Sequence, residues 1–210
     1  MGRSMAANLH PAGAALIVYN RSQTVVEELT RGSMTPTRSP GAVAEAADIL
    51  ITMVSDTPAV QAVLPGENGV IHHMRPGMLI IDLGTTAVTA TRGFAAEFAR
   101  HGADHVEAPV SGGRLGARSA TLSMMAAGAR PIERARPILA VLGANITHVG
   151  GVGTGHIAQA ASQISVGLTI GAVAEALTLA ERADADPANV RRAPAGGFAD
   201  SRCLKLATNA

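Results

Sequence analysis

The sequence contains little cysteine, few aromatic residues and few charges. Cys203 is its single cysteine, which excludes an internal disulfide framework and a cysteine-based zinc site and suits a reducing cytoplasm, where we expect the protein. Aromatic residues make up 2% of the chain, so the stacking platforms of single-strand nucleic-acid binders are missing. The net charge of +1 gives no electrostatic reason to expect nucleic acid or an anionic membrane as a partner. With 47% hydrophobic residues among 210, the composition is that of a globular enzyme.

Long hydrophobic runs are also scarce. The apolar run Ala14 to Tyr19 is shorter than the core of a signal peptide. The segment Ile157 to Ala174 carries no charge and has the length of a membrane span, but polar residues interrupt it and small residues dominate the rest. We therefore expect a helix buried on nearly all sides, and no membrane partner.

Short Val- and Ile-rich runs alternate with stretches of helical period up to Val149, which predicts repeated βα units around a parallel sheet. The predicted strands are Ala15–Tyr19, Ile49–Val54, Met78–Leu83, His105–Ala108, Leu122–Ala127 and Asn145–Val149. The predicted helices between them are Gln23–Arg31, Gly41–Ala46, Pro58–Leu64, Thr89–Arg100 and Pro131–Leu142. After a glycine cluster the pattern becomes all-helical, with a long helix over Thr154–Arg182 and another starting near Pro187. We expect a nucleotide-binding domain over residues 1–150 and a partial helical domain over 151–210.

The start of the sequence departs from a complete doubly wound fold. Such a fold opens with a strand and a glycine-rich turn, whereas Met1-Gly2-Arg3-Ser4 already lies inside that turn. We therefore expect a Rossmann-like sheet that lacks its first strand. That strand normally lies in the middle of the sheet, so its neighbours are expected to have unpaired backbone groups.

The segment Glu107-Ala-Pro-Val-Ser-Gly-Gly113 ends a predicted strand in a loop. The Ser111 hydroxyl and the amides of Gly112 and Gly113 are suited to binding a carboxylate. The segment fails the hydrolase nucleophile elbow, which requires a glycine where Pro109 stands.

Four stretches together resemble the β-hydroxyacid dehydrogenase family, which includes enzymes similar to 3-hydroxyisobutyrate dehydrogenase and tartronate semialdehyde reductase. Met1–Ala6 resembles the end of the family's Gly-x-Gly-x-Met-Gly turn, and Asp82–Thr86 resembles its motif near the nicotinamide. Glu107–Gly113 resembles the substrate loop, with Glu in place of the usual Asp, and Gly150–Gln163 resembles the start of the interdomain helix. The resemblance implies an NAD(P)-dependent oxidoreductase that transfers a hydride between nicotinamide and a small 2- or 3-hydroxy acid or its semialdehyde.

The residues after the first predicted strand bear on the choice of cofactor. Asn20 and Arg21 stand where an acidic residue would bind the ribose of NAD, and a guanidinium matches the 2′-phosphate of NADP, so NADP is favoured and NAD remains possible. Alternatively, Asn20, Arg21 and Ser22 simply cap the next helix. The resemblance also assigns Met1, Gly2, Met53, Val54, Ser55 and Thr85 to the cofactor path, although Met53 to Ser55 and Thr85 equally suit ordinary packing at strand ends.

Two further patterns are rejected. Gly151-Val-Gly153-Thr-Gly155 follows a strand and opens a helix, but His156 stands at the final glycine position and no strand follows, so we interpret it as a hinge. The histidines do not suggest a metal site: His72 and His73 are adjacent and diverge, and Gly102 is expected to end the helix before His105.

The resemblance places Gln159 and Ser162 where the family carries a catalytic lysine and an orienting asparagine. Gln159, Ser162 and Gln163 share one helix face and are expected to point toward the cleft, Ser162 and Gln163 as substrate contacts. An amide binds a substrate by hydrogen bonds but does not donate a full proton near neutral pH. Gln159 is therefore either recruited to the chemistry or a tolerated polar residue.

The family-like segment Gly196–Ser201 is followed by the end of the sequence at Ala210, before most of the helical domain of relatives. Three hypotheses remain open. The first is a family enzyme that acts on a small hydroxy acid or semialdehyde. The second is a pseudoenzyme that binds cofactor without turnover, and the third is a nonfunctional fragment. Self-association into a homo-oligomer is also possible.

Overall fold

The computed structural model describes residues 1–128 and 132–206. The chain divides into two compact units, Met1–Gln159 and Ala160–Ala210. The predicted start of a helix at Pro131 and the last four residues of the predicted helical domain lie outside the described residues.

The first unit is an α/β unit with two sheets among its described residues. Its strands are β1 (Ile17–Val18), β2 (Thr35–Pro36), β3 (Ile49–Thr52), β4 (Leu79–Asp82), β5 (Asp104–Glu107), β6 (Val110–Ser111), β7 (Leu122–Ala127) and β8 (Gly143–Gly150). Its helices are α1 (Gly2–Leu9), α2 (Gln23–Thr30), α3 (Pro40–Ala46), α4 (Thr57–Val63), α5 (Val88–Arg100), α6 (Gly113–Ser119) and α7 (Ile132–Leu142). A 3₁₀ turn spans Val70–His73.

The six-stranded sheet has the order β3-β4-β5-β7-β6, with β8 paired to β7, while β1 and β2 form a separate parallel pair. Strands β3, β4 and β5 run parallel, and β7 is antiparallel to β5 and β6 but parallel to β8. Helices connect the parallel strands, so the predicted Rossmann-like fold is confirmed.

Strands β1 and β3 belong to separate sheets. In a complete doubly wound order, the strand that opens the fold lies between these two. Among the described residues, β1 pairs only with β2 and β3 only with β4. Each therefore has one edge without a strand partner, as the sequence predicts.

Strand β4 separates two hydrophobic clusters. Leu79 and Ile81 face a cluster that includes residues of α1, α6 and α7, whereas Ile80 faces a cluster with residues of α3, α4 and α5. All three side chains are fully buried. A parallel strand that is buried on both faces appears in the sequence as a continuous run of apolar residues, and for this reason the sequence predicts β4 well.

Among the described strands and α-helices of the first unit, four are not predicted from the sequence: α1, β2, β6 and α6. The strand predicted over Ile49–Val54 ends at Thr52, because the Leu83 amide makes the last ladder bond to the Thr52 carbonyl. Helix starts follow ordinary capping chemistry: the Ser39 hydroxyl accepts from the amide of Ala42, and Asp56 accepts from the amide of Ala59. Elements as short as β2 and β6 carry too little periodicity to stand out.

The long helix α8 (Thr154–Arg182) has the predicted bounds and continues into the second unit. That unit also contains α9 (Pro187–Arg192), capped by Asp186, and α10 (Arg202–Leu206). The expectation that α8 is buried on nearly all sides is wrong, since only 6% of its most apolar segment is buried. The described part of the second unit supplies only two short helices, which is too little to cover a helix of this length.

Helix α8 is also the one helix, among the described residues, that is long and apolar enough to cross a membrane, with a mean hydropathy of 1.4. Length and composition alone decide that test. Core helices of soluble proteins pass it as well, so it carries little weight.

Candidate active site

The loop after β4 is organised by Asp82, which is buried at 2% exposure. Its Oδ1 accepts from the Thr52 hydroxyl at 2.8 Å and from the Gly84 amide at 3.0 Å, and its Oδ2 accepts from the Thr86 hydroxyl at 3.1 Å. The carboxylate thus ties β3, β4 and the following loop together and leaves Thr85 exposed. The organising role of Asp82 is not predicted from the sequence, although an acid that ends an apolar strand is a usable signal.

Gln159 connects this loop to the predicted substrate loop. Its Oε1 accepts from the Thr85 hydroxyl at 3.3 Å, and its Nε2 donates to the Val110 carbonyl at 3.4 Å. The side chain is 6% exposed. Three of the sequence-predicted regions therefore meet at residue 159 within the first unit.

The turn that follows Val110 is built from Ser111, Gly112 and Gly113. Gly112 has φ +128° and Gly113 has φ +60°, which are backbone conformations that favour glycine. A Cβ on Gly112 would also lie 3.3 Å from Leu122. Helix α6 begins at Gly113 without a side-chain cap, so the half-buried Ser111 lies beside its first amides. A hydroxyl and backbone N–H groups in one turn are the donors that a carboxylate needs.

The N-terminal end of α1 lies beside the end of β3. A Cβ on Gly2 would lie 3.6 Å from the Cβ of Met53, and Met1 is the N-cap without a side-chain hydrogen bond. Dinucleotides bind at the carboxyl ends of parallel strands with their phosphates on a helix N-terminus. Met1, Gly2 and Met53 therefore stand in positions that suit a nicotinamide cofactor.

The segment Asn20-Arg21-Ser22 connects β1 to α2. The Asn20 amide donates to the Ser22 carbonyl at 3.0 Å, and Ser22 is the N-cap of α2 without a side-chain cap bond. Helix capping thus leaves the Ser22 hydroxyl unused. Arg21 is exposed, and within residues 1–128 and 132–206 it makes no ion pair or hydrogen bond. Its guanidinium is available to a ligand.

The other predicted residues have mixed surroundings. Met53 and Val54 each pack against one of the two hydrophobic clusters, and the exposed Ser55 donates to Asp56, the cap of α4. Ordinary packing is therefore part of what Met53 and Val54 do. Ser162 is half-buried and Gln163 is exposed, both on α8 in the second unit.

A buried acid lies next to the start of α8. Glu107 is fully buried, and its Oε1 accepts from the amides of Gly153 and Gly155, the latter at 3.3 Å. The Nε2 of the buried His156 lies 3.1 Å from its Oε2. On the same strand, burial lowers the pKa of His105 to about 4. Asp82 opposes this shift electrostatically, and His156 adds to it.

A family model described as the NAD binding domain of 6-phosphogluconate dehydrogenase matches residues 1–150. A second, described as NAD-binding of NADP-dependent 3-hydroxyisobutyrate dehydrogenase, matches residues 153–209. The chain belongs to the β-hydroxyacid dehydrogenase family. Members of this family are NAD(P)-dependent oxidoreductases.

Individual family members are similar over most of the chain. The chain is 44% identical to 2-hydroxy-3-oxopropionate reductase of Escherichia coli, with 98% of this chain and 70% of the reductase covered. It is 35% identical to a probable mitochondrial 3-hydroxyisobutyrate dehydrogenase of Dictyostelium discoideum, with 89% and 59% covered. The structure of 3-hydroxyisobutyrate dehydrogenase from Mycobacterium tuberculosis with L-serine superposes with a TM-score of 0.87 at 30% identity, covering 98% of this chain and 70% of that one.

Proposed function

We propose that this member of the β-hydroxyacid dehydrogenase family transfers a hydride between a nicotinamide cofactor and a small 2- or 3-hydroxy acid or its semialdehyde. The observation that carries the proposal is the convergence on residue 159, where the loop after β4 and the Val110–Gly113 turn both contact one side chain. The names of the related proteins support the same reaction class.

The cofactor is NAD(P), with NADP preferred. When bound, it supplies the hydride donor or acceptor. The open amides at the start of α1 would hold its phosphates, and the exposed Arg21 would bind a 2′-phosphate, for which a planar guanidinium is suited in charge and geometry. Thr85 would then contact the nicotinamide end, beside Gln159.

The substrate carboxylate would bind at the turn of Ser111, Gly112 and Gly113. There the serine hydroxyl and the first amides of α6 offer donors to an anion without an opposing carboxylate in the turn itself. Ser162 and Gln163 remain proposed as further substrate contacts.

Gln159 limits the chemistry because its amide orients a hydroxyl group but does not exchange a full proton with it near neutral pH. The single lysine of the sequence, Lys205, lies in the second unit with its ammonium 2.8 Å from Asp200. We propose that water or cofactor hydroxyls exchange the proton instead. Loss of a general acid typically costs ~10² to 10⁴ in rate, so turnover is weak.

A second candidate function is cofactor binding without turnover. Both polar atoms of the Gln159 side chain are engaged by Thr85 and Val110, which is the arrangement of a residue with a structural task. The two candidates differ in one experiment, which follows NADPH absorbance with 2-hydroxy-3-oxopropionate as substrate. Substrate-dependent consumption supports the enzyme, and binding without consumption supports the second candidate.

We propose that the protein is cytoplasmic, because its single cysteine suits a reducing compartment.

We also propose that the chain self-associates through its helical unit. Helix α8 exposes large apolar side chains such as Ile164 and Leu168. Light scattering at several concentrations measures the subunit number, and a monomer at all concentrations would contradict self-association.

A further inference from the structure

Glu107 is placed to control where α8 begins. It is the last residue of β5, and the turn into α8 surrounds its carboxylate with the amides of Gly153 and Gly155 and the imidazole of His156. Glu107 and His156 are 0% and 4% exposed. Neither side chain is therefore open to a bound cofactor or substrate.

A carboxylate without access to water requires compensation. Two backbone N–H groups satisfy one oxygen of Glu107. Its other oxygen lies 3.1 Å from His156 Nε2, but the two atoms are not aligned for a hydrogen bond. The second oxygen therefore has a close neighbour but no hydrogen bond. His105, on the same strand, carries no positive charge at neutral pH, because burial lowers its pKa to about 4.

Gly155 allows the start of α8 to lie close against the sheet. A Cβ at this position would lie 2.6 Å from the Met125 carbonyl oxygen and 3.1 Å from Glu107 Cγ. The first turn of α8 is thus packed directly against β7 and against the side chain of Glu107. The hydrogen bonds from Gly153 and Gly155 to Glu107 hold the first turn of α8 against the sheet, and its close contact with Met125 limits how near it can come.

The fixed first turn determines where residue 159 lies. Gly155 and His156 lie four and three positions before Gln159, so each is a neighbour of Gln159 on the surface of α8. A rotation or translation at the first turn is therefore transmitted directly to Gln159, whose contacts with Thr85 and Val110 at 3.3 and 3.4 Å are long and easily lost.

We propose that Glu107 and His156 are positioning residues, which set the start of α8 and thereby the depth at which residue 159 meets Thr85 and Val110. The inference rests on the proposed function in so far as residue 159 meets the substrate. It assigns control of that geometry to two buried side chains that touch no reacting atom.

The test compares Glu107→Gln, Glu107→Asp and His156→Gln with a matched control. Glu45→Gln breaks an exposed carboxylate–imidazole pair of the same chemistry, Glu45–His73 at 2.9 Å. NMR of the side-chain amide of Gln159 reports its surroundings, and the exposed Gln61 on α4 serves as an internal reference. Hydrogen exchange at the amides of Gly153 and Gly155 reports the helix start. NADPH affinity is measured in parallel.

We expect Glu107→Gln to shift the Gln159 resonances and to speed exchange at Gly153 and Gly155 by about tenfold or more, because a neutral amide accepts more weakly than a carboxylate. Glu107→Asp keeps the charge and has a smaller effect. The control Glu45→Gln leaves all of these signals unchanged. In every variant, the affinity for NADPH stays within about twofold of that of the unaltered chain. In a Gln159→Lys background, kcat falls by about 10- to 100-fold with a smaller change in KM, since small misplacements of a reacting group are costly.

The double variant Glu107→Gln/His156→Gln should lose less free energy of unfolding than the sum of the losses of the two single variants, as expected for residues that interact with each other. Unchanged Gln159 signals in a folded Glu107→Gln variant would overturn the proposal. If that variant does not fold, His156→Gln and Glu107→Asp decide the matter by the same signals. If the unaltered chain binds no NADPH, the proposed function fails, whereas the NMR and exchange data still test the positioning role.

Discussion

The hydroxyl group of Thr85 donates to the side-chain oxygen of Gln159 over 3.3 Å. This bond joins the loop held by Asp82 to the first turns of α8. The Gln159 nitrogen in turn donates to the Val110 carbonyl, one residue before Ser111. A single side chain therefore connects the proposed cofactor and substrate loops, and changes at this position are the most informative.

Replacing Gln159 by lysine is expected to raise turnover. An ammonium exchanges a proton with a substrate hydroxyl, which an amide does not, so the gain is about 10² to 10⁴ in kcat if the site is otherwise intact. Steady-state NADPH consumption measures it. Ser165→Lys, at an exposed position of the same helix outside the proposed site, is the control and should give no gain. Equal rates for both variants would place the limit on turnover elsewhere.

Arg21→Asp is expected to change cofactor preference. The new carboxylate repels a 2′-phosphate and accepts from a ribose hydroxyl, so the ratio of NADPH to NADH affinity should fall by about tenfold or more, equivalent to about 1.4 kcal/mol. Fluorescence titration of both cofactors gives the ratio. Arg31→Asp, at the opposite end of α2, is the matched control. An unaltered ratio would remove Arg21 from the phosphate site.

Thr52→Val is expected to destabilise the first unit. The change keeps the side-chain shape but removes the 2.8 Å donor to buried Asp82, which costs about 1–3 kcal/mol of unfolding free energy. Urea denaturation measures it. The exposed Thr89→Val serves as the control. A variant as stable as the unaltered chain would show that Gly84 and Thr86 satisfy Asp82 without Thr52.

Stability is expected to fall with acid because of His105. Its pKa is lowered from 6.5 to about 4 in the folded chain, mainly by burial, so between these values the unfolded chain takes up a proton and the folded chain does not. Stability attributable to His105 is complete above pH 6.5 and declines by roughly 3 kcal/mol as the pH falls to about 4.

Denaturation at several pH values tests this dependence. His105→Leu should flatten the slope between pH 6.5 and about 4, whereas His148→Asn, at an exposed histidine, should leave it unchanged. A slope that persists in His105→Leu would assign the acid sensitivity to another group.

The sequence predicts the elements that carry strong periodicity. The apolar run around Leu79–Asp82 and the bounds Thr154–Arg182 are recovered because buried strands and long helices dominate their local pattern. The burial of α8 is predicted wrongly, because composition reports how apolar a helix is and says nothing of which neighbours cover it.

Site geometry is harder to foresee than fold. Glu107 and His156 are far apart in sequence. Their contact depends on how the chain returns alongside β5 through the antiparallel strand β7, and no local sequence pattern encodes that pairing. The organising role of Asp82 likewise depends on Thr52, a residue of the neighbouring strand. Residues that act through such partners become visible only when the strands are aligned.

Fluorescence titration of the unaltered chain with NADPH, with and without a small hydroxy acid, tests the proposed site most directly. We predict saturable binding, tighter for NADPH than for NADH, and a further change in affinity when the acid is present, since both ligands would meet beside Gln159. The absence of saturable binding for either cofactor would contradict the proposed function.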